Sequence, residues 1–262
     1  MSDTPSLMDT TRSEFLKFRT VRASFIGLAT FVVLTVGIAL LISLVISANW
    51  SQRSAIDKLA FDPVTTSLTG VFFAQFASGV LGARFITSEY ASGAIRTTLA
   101  AVPRRVHLVL AKAIVLFAVF FVASEVVTFA GFSVAQMIYR ANHLTTGSLS
   151  TSVDLRAVVF AGVFLTCLTL IGFGLGLLLR TTSITISVYV TVLLIIPIII
   201  NFFPTSWQDH VTKYLPANLG AAMMSPQLST RSFSWGTSAI ILAIYTVAVL
   251  VAGSVALSRR DA

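Results

Sequence analysis

Charged residues are spaced so widely along this chain that the intervals between them dictate its fold. No charge occurs from Ala23 to Gln52, from Pro63 to Ala83, from Ala157 to Leu179, from Thr181 to Gln208 or from Ser232 to Ser258. A further run, Ala113 to Tyr139, is broken only by Glu125. Each run holds the roughly 20 residues that a helix rising about 1.5 Å per residue needs to cross about 30 Å of hydrocarbon. Composition agrees: 11% of the 262 residues are charged and 56% are hydrophobic, twenty of them Phe, whereas water-soluble domains carry about 25% charge. Mean hydropathy is +0.90. The expected fold is an all-α integral membrane protein of six transmembrane helices. It forms one domain over residues 1–262, with spans near 25–48, 64–87, 107–139, 155–179, 183–203 and 235–258.

The first run is too long for a signal-peptide core and follows more than twenty polar-rich residues, so the amino terminus is expected to be retained. An even number of crossings places both termini on one side. Basic residues choose that side. Arg12, Lys17, Arg19, Arg22, Arg84, Arg96, Arg104, Arg105, Lys112, Arg180, Arg259 and Arg260 fall with the termini, twelve in all, against six on the opposite side: Arg53, Lys58, Arg140, Arg156, Lys213 and Arg231. The termini and the connection after the second span are therefore expected in the cytoplasm.

Several function classes are excluded. The net charge of +8 is dispersed over helix ends, with no basic face interleaved with aromatic residues, so it serves lipid headgroups rather than nucleic acid. Cys167 stands alone inside a span, which leaves neither a disulfide nor a thiolate metal site. No G-x-x-x-x-G-K-[ST] is present, so the chain has no phosphate-binding loop of its own. His107, His143 and His210 lie in separate segments without metal-ligand spacing. No G-x-S-x-G elbow accompanies the serines. These residues supply no catalytic set and no metal site, so the chain is read as a non-enzyme. The glycines of GFGLG have the wrong spacing for a dinucleotide fingerprint, and Gly172 with Gly176 reads instead as a small-xxx-small packing step.

One interruption carries most of the information. Between two apolar runs, residues 89–105 read EYASGAIRTTLAAVPRR. On a helix, Ala91, Ile95, Leu99 and Val102 stack on one face, while Ser92, Arg96 and Thr97 lie away from it. The segment is too short to span, and Pro103 stops it. Such a helix suits either the membrane surface or a soluble partner.

With Glu89, Gly93, Leu99, Pro103 and Lys112 in the order EYASGAIRTTLAAVPRRVHLVLAK, this region resembles the loop after the second span in membrane subunits of ABC transporters of the ABC-2 (type V exporter) class. The wording RTTLAAVPRR is similar to that of small actinobacterial permeases. SEFLKFRTVR, within an amphipathic segment near 8–22, resembles the interfacial helix of that family, and YLPANLGAAMMSP resembles its short apolar stretch before the last span. The resemblance implies a bacterial plasma-membrane permease subunit. A separate cytoplasmic ATPase dimer would bind ATP and Mg, leaving no cofactor in this chain, and the loop helix would be its coupling element. It implies Glu89 and Arg96 as polar contacts with that ATPase, with Gly93, Thr97, Thr98, Pro103, Arg104 and Arg105 beside them. It also implies a second permease subunit, identical or related, and export of an amphiphilic or hydrophobic compound.

In that family the second and fifth spans line the path at the subunit interface. Here Phe72, Gln75, Phe76 and Gly79 recur at helical spacing in the second span, and aromatic rings with one amide suit an amphiphile. Glu125 is costly in hydrocarbon and is expected to face protein or water, either as a polar point on the path, as a proton-sensitive site, or as a clasp to Ser124, Thr128 or a neighbouring helix. Pro197 is expected to kink the fifth span. Leu215 to Met224 reads as a re-entrant or interfacial element, and Thr151 with Asp154 as the capping signature of the fourth span. Two other functions remain open: a non-pumping immunity or sensing subunit, and an ion-coupled secondary transporter working through Glu125.

Overall fold

The computed structural model describes residues 6–102, 104–226 and 232–259. Helix α1 (Leu7–Thr20) is started by Ser6, whose hydroxyl accepts the Asp9 amide at 3.2 Å, and it stops where Val21 turns extended. Six helices are long and apolar enough to cross a membrane: α2 (Arg22–Ala48), α5 (Thr69–Ser92), α7 (Arg105–Ala141), α8 (Ser152–Leu179), α9 (Thr182–Ile200) and α12 (Trp235–Arg259). Shorter helices join them. These are α3 (Ala55–Leu59), α4 (Pro63–Ser67), α6 (Ala94–Ala101), α10 (Thr205–Val211) and α11 (Pro216–Met224). No strand occurs among the described residues.

Helix α8 is the centre of the bundle. Two-thirds of its most apolar window is buried (67%), against 17% in α9, because α5, α7 and α12 all pack on α8. Glycine makes the α5–α8 contact close: a Cβ on Gly172 would collide with the Gly79 backbone, and one on Gly82 with the Thr169 carbonyl. Gly176 faces Ile86 in the same seam, so the small-xxx-small step of the sequence is a packing surface. The outer faces are as apolar as the interior. Leu41, Val122, Ile240 and Val247 are all more than half exposed, an arrangement stable only where lipid is the solvent.

Two local expectations change, and a third gains detail. Pro197 lies in α9 just past a distorted turn. It follows a π-helical turn over Thr191–Ile195, a wider turn that relieves the backbone where proline lacks its amide donor. The capping pair Thr151 and Asp154 does not form: the Thr151 side chain makes no cap, and the Asp154 carboxylate accepts the Ser148 amide at 2.8 Å. The loop helix also begins later than its periodicity suggests. Residues 89–92 still belong to α5, and Gly93, at φ 74°, breaks the chain before α6 begins. Ala91 therefore does not share a face with Ile95.

Candidate functional site

Helix α6 is anchored on one side and open on the other. Ile95 and Val102 are buried against Leu108, Leu177 and Leu257, while Arg96 and Thr97 are exposed and Thr98 half-buried. Its entry depends on Gly93, whose left-handed backbone would cost a residue with a Cβ about 1–2 kcal/mol. The Thr97 and Thr98 hydroxyls both donate to the Ala94 carbonyl, at 2.8 and 3.0 Å, tightening the first turn. Arg104 is exposed. Arg105 reaches back to donate to the Leu257 carbonyl at 2.8 Å, tying this corner to the end of α12, where uncapped carbonyls attract a cation. Pro103 lies outside the described residues.

Beneath α6 is a four-charge cluster. Lys112 of α7, 1% exposed, donates to Glu14 of α1 at 2.6 Å and to Glu89 of α5 at 2.7 Å. Lys17 pairs with Glu14 at 2.8 Å and stands 3.6 Å from Glu89. The ring of Phe85 lies 5.0 Å from the Lys112 ammonium. Two acids and two lysines cancel, so charges from three separate segments are taken out of water together. Burial lowers the Lys17 pKa, but the hydrogen bond and charge of Glu14 and the charge of Glu89 outweigh it, so the net shift is upward. Lys17 also reaches the Thr98 hydroxyl at 3.5 Å, linking the cluster to α6. Glu89 thus sits inside this cluster, 15% exposed, rather than on the open face that carries Arg96.

Near the middle of the bundle the stripe on α5 is split. Phe72 is half exposed, Phe76 partly buried, and Gln75 buried. Gly79 lies under the ring of Tyr189 from α9, and the Tyr189 hydroxyl donates to the Gln75 carbonyl at 2.7 Å. Phe72 therefore faces outward, Phe76 packs partly against the core, and Gln75 turns inward. Glu125, near the midpoint of α7, does not form the clasp to Ser124 or Thr128 that is one of the readings open to it. Neither carboxylate oxygen has a hydrogen-bond partner among the described residues, nor has the Ser124 hydroxyl, and Thr128 donates only to backbone carbonyls. The carboxylate lies over Gly162 of α8, where a Cβ would meet Oε1 at 2.5 Å.

A family model described as "Protein of unknown function (DUF2705)" matches residues 60–262. The chain belongs to that family. The match begins after α2 and takes in α6, the lower part of the ion cluster contributed by Glu89 and Lys112, and Glu125. Among curated proteins none matches.

The geometry of this family member connects α6 to the bundle through its buried apolar face, the Gly93 break into α5 and the Lys17 bridge into α1 and α7. A polar groove of about 360 Å³ separates α6 from α1, bordered by Asp9, Ser13, Thr97 and Thr98. Sequence reasoning singled out Glu89, and included Lys112 in the motif, but missed Glu14 and the pairing itself. One signal was available: Glu14 is the sole acid between Asp9 and Glu89 that precedes the first span at its membrane end, and Lys112 opens an apolar run, so each needs a partner.

Proposed function

We propose that this chain is the membrane-spanning subunit of an ATP-driven exporter of the ABC-2 class, driven by a separate cytoplasmic ATPase dimer that docks on α6. The observation that carries the reading is the design of α6: an eight-residue helix whose apolar face is fastened to α7 and α12 while Arg96 and Thr97 stay open beside a polar groove. A displacement applied to such a short rod passes to α5 through Gly93 and to α1 and α7 through Lys17, whereas a slack loop would absorb it. The excess of basic residues at this end supports a cytoplasmic position for α1, α6 and both termini in a bacterial plasma membrane. ATP and Mg belong to the partner. Phe72, half exposed on α5, suits an interface with a second copy or a related permease subunit, through which an amphiphilic compound would leave.

The test is co-expression of the chain with a candidate ABC ATPase subunit, followed by affinity capture and measurement of ATP turnover. Arg96→Glu should abolish capture while leaving the purified chain folded; capture that survives the charge reversal rejects α6 as the dock. An unpartnered carboxylate at Glu125 favours a second reading, a secondary transporter coupled to an ion. Transport that proceeds without any ATPase and stops in Glu125→Gln would select it.

A further inference from the structure

Arg84 lies inside the span α5 and has no side-chain partner among the described residues. It lies eight residues before the last residue of α5, roughly 12 Å into the helix from that end. It is exposed and makes no hydrogen bond or ion pair among the described residues. Arg84 borders a cavity of about 250 Å³ between α5 and the elbow where α1 meets α2. Phe18, Leu81, Phe85 and Phe120 form the apolar part of that cavity, and Thr20, Ser24 and Ser88 lie on its border. Glu14, Lys17 and Glu89 border it too, but with Lys112 behind them their charges cancel, so the charge left over is that of Arg84. One further group is unsatisfied: Glu89 Oε1 is held by Lys112, while the buried Oε2 has no partner.

We propose that this cavity binds one glycerophospholipid, with its phosphate on Arg84, a donor of its head group on Glu89 Oε2, and the start of an acyl chain against Phe18, Phe85 and Phe120. Each part answers an observation. Guanidinium and phosphate form paired, charge-assisted hydrogen bonds, and basic pockets between membrane helices near the headgroup level are suited to lipid phosphates. The free carboxylate oxygen demands a donor, which the hydroxyls of a glycerol head or the ammonium of an ethanolamine head provide and the quaternary ammonium of choline does not. The aromatic floor accepts hydrocarbon, which excludes a bare anion as the natural occupant. The bound lipid would wedge the α1–α2 elbow against α5 directly beside the ion cluster. This inference uses only the membrane placement of the chain and is independent of any ATPase.

The test is native mass spectrometry of the full chain in detergent, titrated with phosphatidylglycerol, phosphatidylethanolamine and phosphatidylcholine carrying the same acyl chains, and with inorganic phosphate as competitor. One adduct of the glycerol or ethanolamine lipid should persist at concentrations where choline lipid is stripped. Arg84→Gln should weaken it roughly tenfold, the loss expected of one charge-assisted contact. Ala23→Trp, which fills the elbow without touching a charge, should remove it as well. Equal retention of all three lipids, or retention unchanged in Arg84→Gln, overturns the proposal and marks ordinary boundary lipid. Displacement by inorganic phosphate also overturns it, since an anion site then needs no lipid.

Discussion

Two regions of this molecule bury carboxylates, and they do so in opposite ways. At the α6 end, Glu14 and Glu89 share two lysines within hydrogen-bonding distance, so removal from water is offset by three ion pairs of 2.6 to 2.8 Å. Near mid-span, Glu125 has neither a cation nor a donor among the described residues and rests over a glycine. The difference follows from position along the helices. Close to a helix end, a long lysine and a surface helix such as α1 can converge on an acid; a dozen residues deeper, the hydroxyls beside Glu125 make no bond to its carboxylate, Thr128 donating to backbone carbonyls instead. Paired burial fastens segments together, while unpaired burial leaves a group whose chemistry is still available.

The comparison breaks first at Lys112. Replacing it by Met keeps the volume near Phe85 but leaves Glu14 and Glu89 facing each other with only the half-exposed Lys17 between them. Breaking a buried pair in this manner costs about 3–5 kcal/mol, and the thermal midpoint of the purified chain in detergent should fall accordingly. Glu14→Gln in the Lys112→Met background should recover part of that loss, because one uncompensated charge disappears. If the double variant is no more stable than the single one, the cluster is not an electrostatic unit.

Glu125 should respond in the opposite sense. Glu125→Leu removes a buried polar group without a partner, so stability should rise by about 1–3 kcal/mol, the size of the penalty for an unsatisfied buried group. Loss of stability on that substitution would mean that the carboxylate has a partner after all, and the contrast with Glu14 would collapse. If Glu125 serves transport, the same variant should be more stable and less active, which separates a working group from a structural one.

These two regions also mark what the sequence reveals. Five uncharged runs and a sixth broken only by Glu125 identify the spans because every one must be about 20 residues long, a constraint read from one residue at a time. The exposed side of α6 is legible for the same reason, since Arg96 and Thr97 follow helical period within a few residues. The ion cluster is not, because Glu14 and Lys112 are 98 residues apart and nothing local says that α1 folds back onto α7. Gly93 was visible as a family-like position, but the extra residues of helix before it were not: residues 89–92 continue α5 up to the left-handed Gly93, which ends the helix there. The orphaned state of Glu125 could not be read either, since it depends on which faces of α7 and α8 meet, and Gly162 gives no sign of it in isolation.

A smaller test concerns how the paired region is joined to the open one. Gly93→Ala meets no atom within 4 Å of the new Cβ, so its cost is confined to the backbone, at about 1 kcal/mol. The ion cluster should be untouched, and the double variant with Lys112→Met should show additive losses. Strong non-additivity in unfolding measurements would mean that α6 and the cluster are one cooperative piece.

The smallest effect is expected from Lys17, which is 44% exposed and therefore well screened. Its folded-state pKa lies above the ordinary lysine value of 10.5: desolvation pulls it down, but the hydrogen bond and charge of Glu14 and the charge of Glu89 push it further up. A group shifted in this direction contributes stability that is complete below the unfolded lysine pKa and is lost as pH rises through the folded value. The loss should be no more than about 0.5 kcal/mol, so it is best seen as a difference: thermal midpoints of the parent and of Lys17→Met, followed from about pH 9 to about pH 12, should converge at the alkaline end. Parallel curves would mean that Lys17 contributes reach toward Thr98 but no net charge stabilisation, leaving Lys112 alone to offset both acids.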